Sequence, residues 1–339
     1  SGLMTIYDVS KNTESYKTIV GGTPYSNYAP VGISSDGKTF FIRTWNGLFT
    51  GGAGGLFEID QSTGNYIRLD VDKNGNTFTY QGWSFDADDI DLTPDGKYVV
   101  FALRDTSDSA TWTTQVVHIH LKNRTTGEIS LIDTISGEKS IGYSSAPRIS
   151  NDGKYILFKS NINLLNSSNH SDSQYNLYLK NTTNQNIAQI NLDTSNTRFD
   201  VSSSDLSGDG KYVVFSTTSE LNSGDNNTIN DVYLKDTTED TFSLITTDGG
   251  STVEISDDGN YISYISSSGT QRMKLFNVKG NTLKFIPGTN YLRVGSFSSE
   301  NVEFMGDNGL VFWTWRDYLS TDTDNDADYY YYEYNCPSS

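Results

Sequence analysis

Four carboxylates alternate along one short segment near the end of the chain, at Asp322, Asp324, Asp326 and Asp328. Carboxylates spaced in this way can converge on one point, which is what a hard cation with six to eight oxygen ligands requires. The segment 223–231 aligns with 320–328 without a gap and sets Asp225 on Asp322 and Asp231 on Asp328. A third polar segment, 169–173, carries a single Asp, Asp172. Calcium is therefore the cofactor to expect, with Asp322, Asp324, Asp326, Asp328, Asp225 and Asp231 as its ligands. The competing reading is that Asx side chains cap turns and hold loops through local hydrogen bonds.

A second set of residues could bind organic ligands. Trp45 and Trp112 follow strand-like runs, Trp315 ends one, and Trp83 lies in a connection beside Phe85. Exposed indoles stack on sugar rings or anchor protein interfaces, while buried ones pack between sheets. A third set stands at corresponding points of successive repeats: Gly32, Asp91, Arg148, Asp205, Glu254 and Glu303. Gathered around an axis, four carboxylates and one arginine would form a charged ring able to recruit a ligand or cation. Backbone donors could equally satisfy each of them.

Signals for covalent or metal-hydrolytic chemistry are poor. There are three histidines, and His118 and His120 share one face of a strand-like run, where packing competes with a two-ligand metal site. The single cysteine, Cys336, has no partner thiol, so no internal disulfide can form. No Gly-x-Ser-x-Gly or phosphate-cradling motif is present.

The elements that must position these residues come from one recurring phrase. Leu206 to Phe215 reads Leu-Ser-Gly-Asp-Gly-Lys-Tyr-Val-Val-Phe, a tight Asp-Gly turn followed by an apolar, β-branched and aromatic run suited to a buried strand. Its Asp recurs at Asp36, Asp95, Asp152, Asp209, Asp258 and, in degenerate form, Asp307. The steps are 59, 57, 57, 49 and 49 residues. Each repeat reads strand, Asp-Gly turn, strand, variable loop, strand, polar turn, strand. A period of this size with four strands inside it predicts a six-bladed β-propeller of four-stranded antiparallel blades, with seven blades as the alternative. The chain opens on a bare hairpin, 4–9 with 16–20, which is expected to complete the last blade. The run 328–334 competes for the same place. With no helix-period segment and no linker, residues 1–339 read as one all-β domain.

Composition sets the bounds. A net charge of −18 repels phosphate backbones, which excludes nucleic acid as a natural partner. No run approaches the roughly 20 apolar residues of a membrane span, and no secretory leader is visible. Few lysines, one cysteine and many Ser, Thr and Asn suit an exported bacterial protein, extracellular, surface-borne or periplasmic.

The phrase Ser-x-Asp-Gly-Lys-Tyr-x-x-Phe, followed by an Asp/Asn-rich loop and Asp231-Val232-Tyr233-Leu234-Lys235-Asp236, resembles the TolB-type propeller repeats of bacteria. The resemblance covers essentially the whole chain and implies a six-bladed, exported binding platform. Variable loops between the second and third strands would then share one face with the indoles. The expectation is a monomeric, non-catalytic recognition module for a glycan or protein ligand. A glycan-active enzyme, the propeller of a larger hydrolase and a structural module of a surface adhesin are the alternatives.

Overall fold

A computed structural model describes residues 3–8, 13–18, 28–33, 39–46, 53–60, 62–71, 74–75, 90–104, 116–134, 137, 140–166, 173–266, 273–285, 302–305, 309–314 and 328–333. Every regular element among them is a β-strand. No helix is long and apolar enough to cross a membrane. The chain falls into two compact units, residues 1–2 with 19–191 and residues 3–18 with 192–339.

In chain order the strands are β1 (Leu3–Asp8) and β2 (Thr13–Thr18), which form the opening hairpin. Then come β3 (Tyr28–Ile33), β4 (Thr39–Asn46), β5 (Ala53–Asp60) and β6 (Tyr66–Arg68). The second repeat holds β7 (Ile90–Leu92), β8 (Tyr98–Arg104), β9 (Val117–Asn123) and β10 (Ile129–Leu131). The third holds β11 (Ser144–Ile149), β12 (Tyr155–Ser160), β13 (Asn176–Asn181) and β14 (Ile187–Gln189). The fourth holds β15 (Ser203–Leu206), β16 (Tyr212–Thr217), β17 (Asp231–Asp236) and β18 (Thr241–Thr246). The fifth holds β19 (Gly250–Ile255), β20 (Tyr261–Ser266), β21 (Met273–Asn277) and β22 (Thr282–Phe285). The last strands are β23 (Val302–Met305), β24 (Gly309–Thr314) and β25 (Asp328–Glu333).

Each of the five complete repeats makes one four-stranded antiparallel sheet whose strands neighbour one another in chain order. The sixth sheet departs from the expected four antiparallel strands. Its order is β2-β1-β25-β24-β23, and β1 lies parallel to β25, Ile6 facing Tyr329. Both contenders for the vacant place are therefore used. β25 continues the C-terminal meander, and β1 covers its outer edge. Because no hairpin turn joins β1 to β25, nothing obliges that pair to run antiparallel.

The Asp-Gly phrase folds the same way in four repeats. Thr93, Ser150, Ser207 and Ser256 each donate a side-chain hydroxyl to the turn Asp, at 2.6–2.9 Å. The same hydroxyl oxygen accepts the amide of Tyr98, Tyr155, Tyr212 or Tyr261. The carboxylate also accepts the amide two residues on, from Lys97, Lys154, Lys211 or Asn260, at 2.9 Å. At Gly153 the turn needs glycine twice over. Its φ is +73°, and an added Cβ would stand 2.7 Å from the Tyr98 ring of the preceding repeat.

Behind each turn the middle strands bury both faces, as Val213, Val214 and Phe215 do at 0% exposure, so they read as apolar runs rather than alternations. Contiguous cores join neighbouring sheets within each unit, Val100 and Ile119 with Ile156 and Phe158 in one, Val214 and Val232 with Ile262 and Tyr264 in the other. Buried lysines add cross-ties. Lys122 Nζ donates to the carbonyls of Leu69 and Val71 at 2.8 Å, and Lys180 Nζ to Ile132 O at 2.7 Å. Burial pushes the Lys180 ammonium down, with Asp133 acting the other way.

Candidate functional site

Of the acids on the first strand of each repeat, Asp91 and Asp205 turn out to be structural ties. Asp91 on β7 accepts the amide of Ile149 on β11 at 2.7 Å, and Asp205 on β15 accepts the amide of Ile255 on β19 at 2.8 Å. Each reaches from one sheet to the backbone of the next. The first strands bulge at this level, between Ser145 and Arg148 and between Ser251 and Val253, with φ +50° at Ala146 and +49° at Thr252. A bulge interrupts the ladder and leaves an amide for a partner outside it. Arg148 Nη1 donates to Pro147 O at 3.0 Å. Glu254 lies on β19, half-buried. Glu303 is on β23 and Trp45 on β4, but their side chains lie outside the described residues. So do Trp83, Trp112, Trp315, Asp322, Asp324 and Asp326 altogether, and the side chain of Asp328.

A second polar device went unnoticed in the sequence. The residue after an apolar one at the end of the fourth strand caps the third strand of its own sheet. Asp70 Oδ1 accepts the amide of Leu56 at 3.1 Å, Asp133 Oδ1 that of Ile119 at 3.1 Å, and Asn191 Oδ1 that of Leu177 at 3.0 Å. The separation is 14 residues each time. The recurring dipeptides Leu69-Asp70, Ile132-Asp133 and Ile190-Asn191 were the signal available.

Beside this cap lies a position near the start of the third strand, which the registers make equivalent across sheets. Gly55 faces Thr44, His118 faces Leu103, Asn176 faces Ser160, Asp231 faces Thr217, and Asp328 faces Thr314. In the first repeat sheet, Arg68 fills the space beside Gly55 and pairs with Asp70 through two contacts of 2.9 Å. In the second, His118 Nδ1 stands 3.0 Å from Asp133 Oδ2, which also accepts Ser144 Oγ at 2.6 Å. His120 stacks on Phe101 with ring centroids 5.9 Å apart, so the two histidines do not form a common metal site. In the third, Asn176 Nδ2 donates to the Tyr178 hydroxyl at 3.0 Å and Asn176 Oδ1 accepts Gln189 Nε2 at 3.1 Å. Cation stands with anion, histidine with carboxylate and amide with amide, although His118 Nε2 has no hydrogen-bond partner among the described residues.

The fourth sheet breaks the pattern. Asp231 is fully buried, and the second carboxylate, Asp225, is 4% exposed. Asp225 Oδ2 accepts the Tyr233 hydroxyl at 2.6 Å, and Asp231 Oδ2 accepts Asn227 Nδ2 at 2.8 Å. Asp231 Oδ1 accepts nothing. Burial and the neighbouring Asp225 push the Asp231 carboxyl up to about 6, while Asn227 and the Gly249 amide act the other way. Burial and Asp225 likewise push the Tyr233 phenol up, so it remains a donor. Of the expected metal ligands, the structure thus brings Asp225 and Asp231 together. No group of three His, Cys, Asp or Glu side chains suited to a metal occurs among the described residues.

No family model matches the chain, and no curated protein matches it in sequence. Solved structures do match. A putative TolB from Agrobacterium tumefaciens superposes with a TM-score of 0.53 at 14% identity, over 99% of this chain and 100% of that one. Oligogalacturonate lyase from Vibrio parahaemolyticus gives 0.54 at 12% identity, over 97% and 96%. The tricorn protease gives 0.54 at 11% identity, over 84% of this chain and 28% of that one. The chain also spans 56% of TolB from Acinetobacter baumannii. The fold is therefore a TolB-like β-propeller. The reading as a recognition module for a glycan or protein ligand is overturned. Neighbours of this fold include a lyase and a protease, and neither glycan binding nor an adhesin role has support.

Proposed function

We propose that this chain is a six-bladed propeller closed by pairing of its two ends through β1 and β25, and that it serves as a rigid framework domain without turnover of its own. The observation that supports this reading is how its reactive side chains are used. Asp91 and Asp205 tie sheet to sheet, Asp70 and Asp133 cap third strands, and His118 is locked on Asp133. A group held by buried backbone donors has neither the access nor the freedom that acid–base or nucleophilic work needs. The acidic composition, rich in Ser, Thr and Asn, adds support for an exported location. The loop 322–328 is proposed from its sequence to hold calcium.

The test is an activity panel on the full chain against peptide and oligogalacturonate substrates, the classes named for its two enzyme neighbours. No turnover above buffer is the expected result. Turnover that disappears in Asp205→Asn or His118→Asn with the fold intact would overturn the proposal.

A further inference from the structure

We infer that Asp225 and Asp231 form a binding site for a hard divalent cation, calcium, in the loop between β16 and β17. Four sheets offer the same place at the start of the third strand. Three fill it without a pair of carboxylates: Gly55 beside the Arg68–Asp70 pair, His118 on Asp133 with its Nε2 unpartnered among the described residues, and Asn176 between Tyr178 and Gln189. The fourth sets two buried carboxylates there, and among the described residues neither is in an ion pair. Asp231, fully buried, keeps one oxygen unpartnered among the described residues, and Asn227 joins it to Asp225, its backbone amide donating to Asp225 Oδ1 at 3.4 Å and its side-chain amide to Asp231 Oδ2 at 2.8 Å. An ionised carboxylate removed from water without a countercharge is strongly unfavourable, and it is relieved by taking up a proton or by pairing with a cation.

The surroundings are built to hold the pair in place. Tyr233 fixes Asp225 from one side, and the Asn227 amide fixes Asp231 from another. The loop is tied down at its end, where Gly250 N donates to Asn230 O at 2.6 Å and Ser202 Oγ to Asn230 Oδ1 at 3.0 Å. Two carboxylates balance one divalent charge. The donors are all oxygen, which turns away zinc and copper and suits calcium, whose coordination tolerates an irregular shell completed by carbonyls and water. Magnesium demands a near-ideal octahedron and gives up its own water reluctantly. With only two acidic ligands the affinity belongs with extracellular modules, Kd about 10⁻⁴–10⁻³ M.

Isothermal titration of calcium chloride into the full chain tests this, beside Asp231→Asn. That substitution installs the residue the third sheet carries at the same place, Asn176, so the variant has a precedent for folding. It is expected to bind one calcium fewer than the parent. Calcium at ten times Kd should shift the parent's unfolding equilibrium about elevenfold through this site, and the variant should lose that increment. Without metal, the variant should melt at or above the parent, because it removes a buried like-charge contact. Equal stoichiometry in the two proteins, no calcium binding to the parent at about 10 mM, ten times the weakest such Kd, or a metal-free variant that melts lower would each overturn the inference.

Discussion

Asp205 supplies the sharpest test of the tie between sheets. Its Oδ2 accepts the Ile255 amide at 2.8 Å, and the two residues are 6% and 4% exposed. Asp205→Ala leaves that amide buried with no acceptor, which costs about 1–3 kcal/mol for the orphaned donor. The removed bond was to a charged acceptor and belongs to the stronger class, about 1.5–3 kcal/mol. These two figures describe one loss seen from either side, so the expected destabilisation is about 2–3 kcal/mol and not their sum. Asp205→Asn keeps an acceptor oxygen and should cost about 1 kcal/mol or less. Denaturant unfolding gives the global value, and native-state hydrogen exchange gives the local one. The Ile255 amide should exchange much faster in the alanine variant and nearly as slowly as the parent in the asparagine variant. An Ile255 amide equally protected in all three proteins, with unchanged midpoints, would refute the tie.

Three further outcomes are expected. Gly153→Ala combines a positive φ with a Cβ placed 2.7 Å from the Tyr98 ring, whereas Gly75→Ala meets a similar φ, +81°, with nothing within 4 Å. Thermal melts should therefore show a loss of about 2–3 kcal/mol at Gly153 and about 1 kcal/mol at Gly75. Asp133→Ala removes the acceptor of Ile119 N, Ser144 Oγ and His118 Nδ1 together and should cost more than Asp205→Ala, about 3–4 kcal/mol by chemical denaturation. Acid unfolding should follow the turn carboxylates. Hydrogen bonds from Ser62 and Thr63 lower Asp60 to about 2, Thr93 and Lys97 lower Asp95, and at Asp152 the bonds from Lys154 and Ser150 outweigh burial. A depressed folded value means their contribution is complete above the unfolded value of about 3.9 and is lost as pH falls towards about 2. A pH scan should therefore be flat on their account from about 7 to 5 and fall below about 4, less steeply in Asp60→Asn.

The fold was legible because its signal is local and repeated. Ser-x-Asp-Gly-Lys-Tyr contains the hydroxyl, the carboxylate, the positive-φ glycine and the ring that the turn uses, all within six residues. The sixth sheet was harder, since the pairing of β1 with β25 joins the two ends of the chain and no local pattern dictates its direction. The A-strand acids were located correctly in the repeat, yet their use was not readable. Whether Asp205 faces an axis or the Ile255 amide depends on how the fourth sheet packs against the edge strand of the fifth, which sequence does not announce. The caps Asp70, Asp133 and Asn191 were visible only as a 14-residue spacing within each repeat, shorter than the interval between repeats and masked by the general abundance of Asp and Asn.

That abundance explains why counting carboxylates is a poor guide in this chain and comparing equivalent positions a better one. The Asp-rich stretch 322–328 catches the eye, but most acidic residues that the structure describes are spoken for by backbone amides or hydroxyls. Asp231 differs from them in a way that composition hides. At its position the first three repeat sheets carry Gly55, His118 and Asn176, none of them in a pair of carboxylates, and the sixth sheet carries Asp328, whose side chain lies outside the described residues. A repeat fold holds backbone geometry constant, so a substitution at one repeat alone changes the electrostatics without changing the frame. The Asp231 position has the donor-poor, oxygen-rich environment left when an amide becomes a carboxylate and a second carboxylate arrives with the adjoining loop. Such a residue needs a proton or a cation to offset its charge, and for that reason the fourth sheet, as well as the acidic segment 322–328, is where a ligand is to be sought.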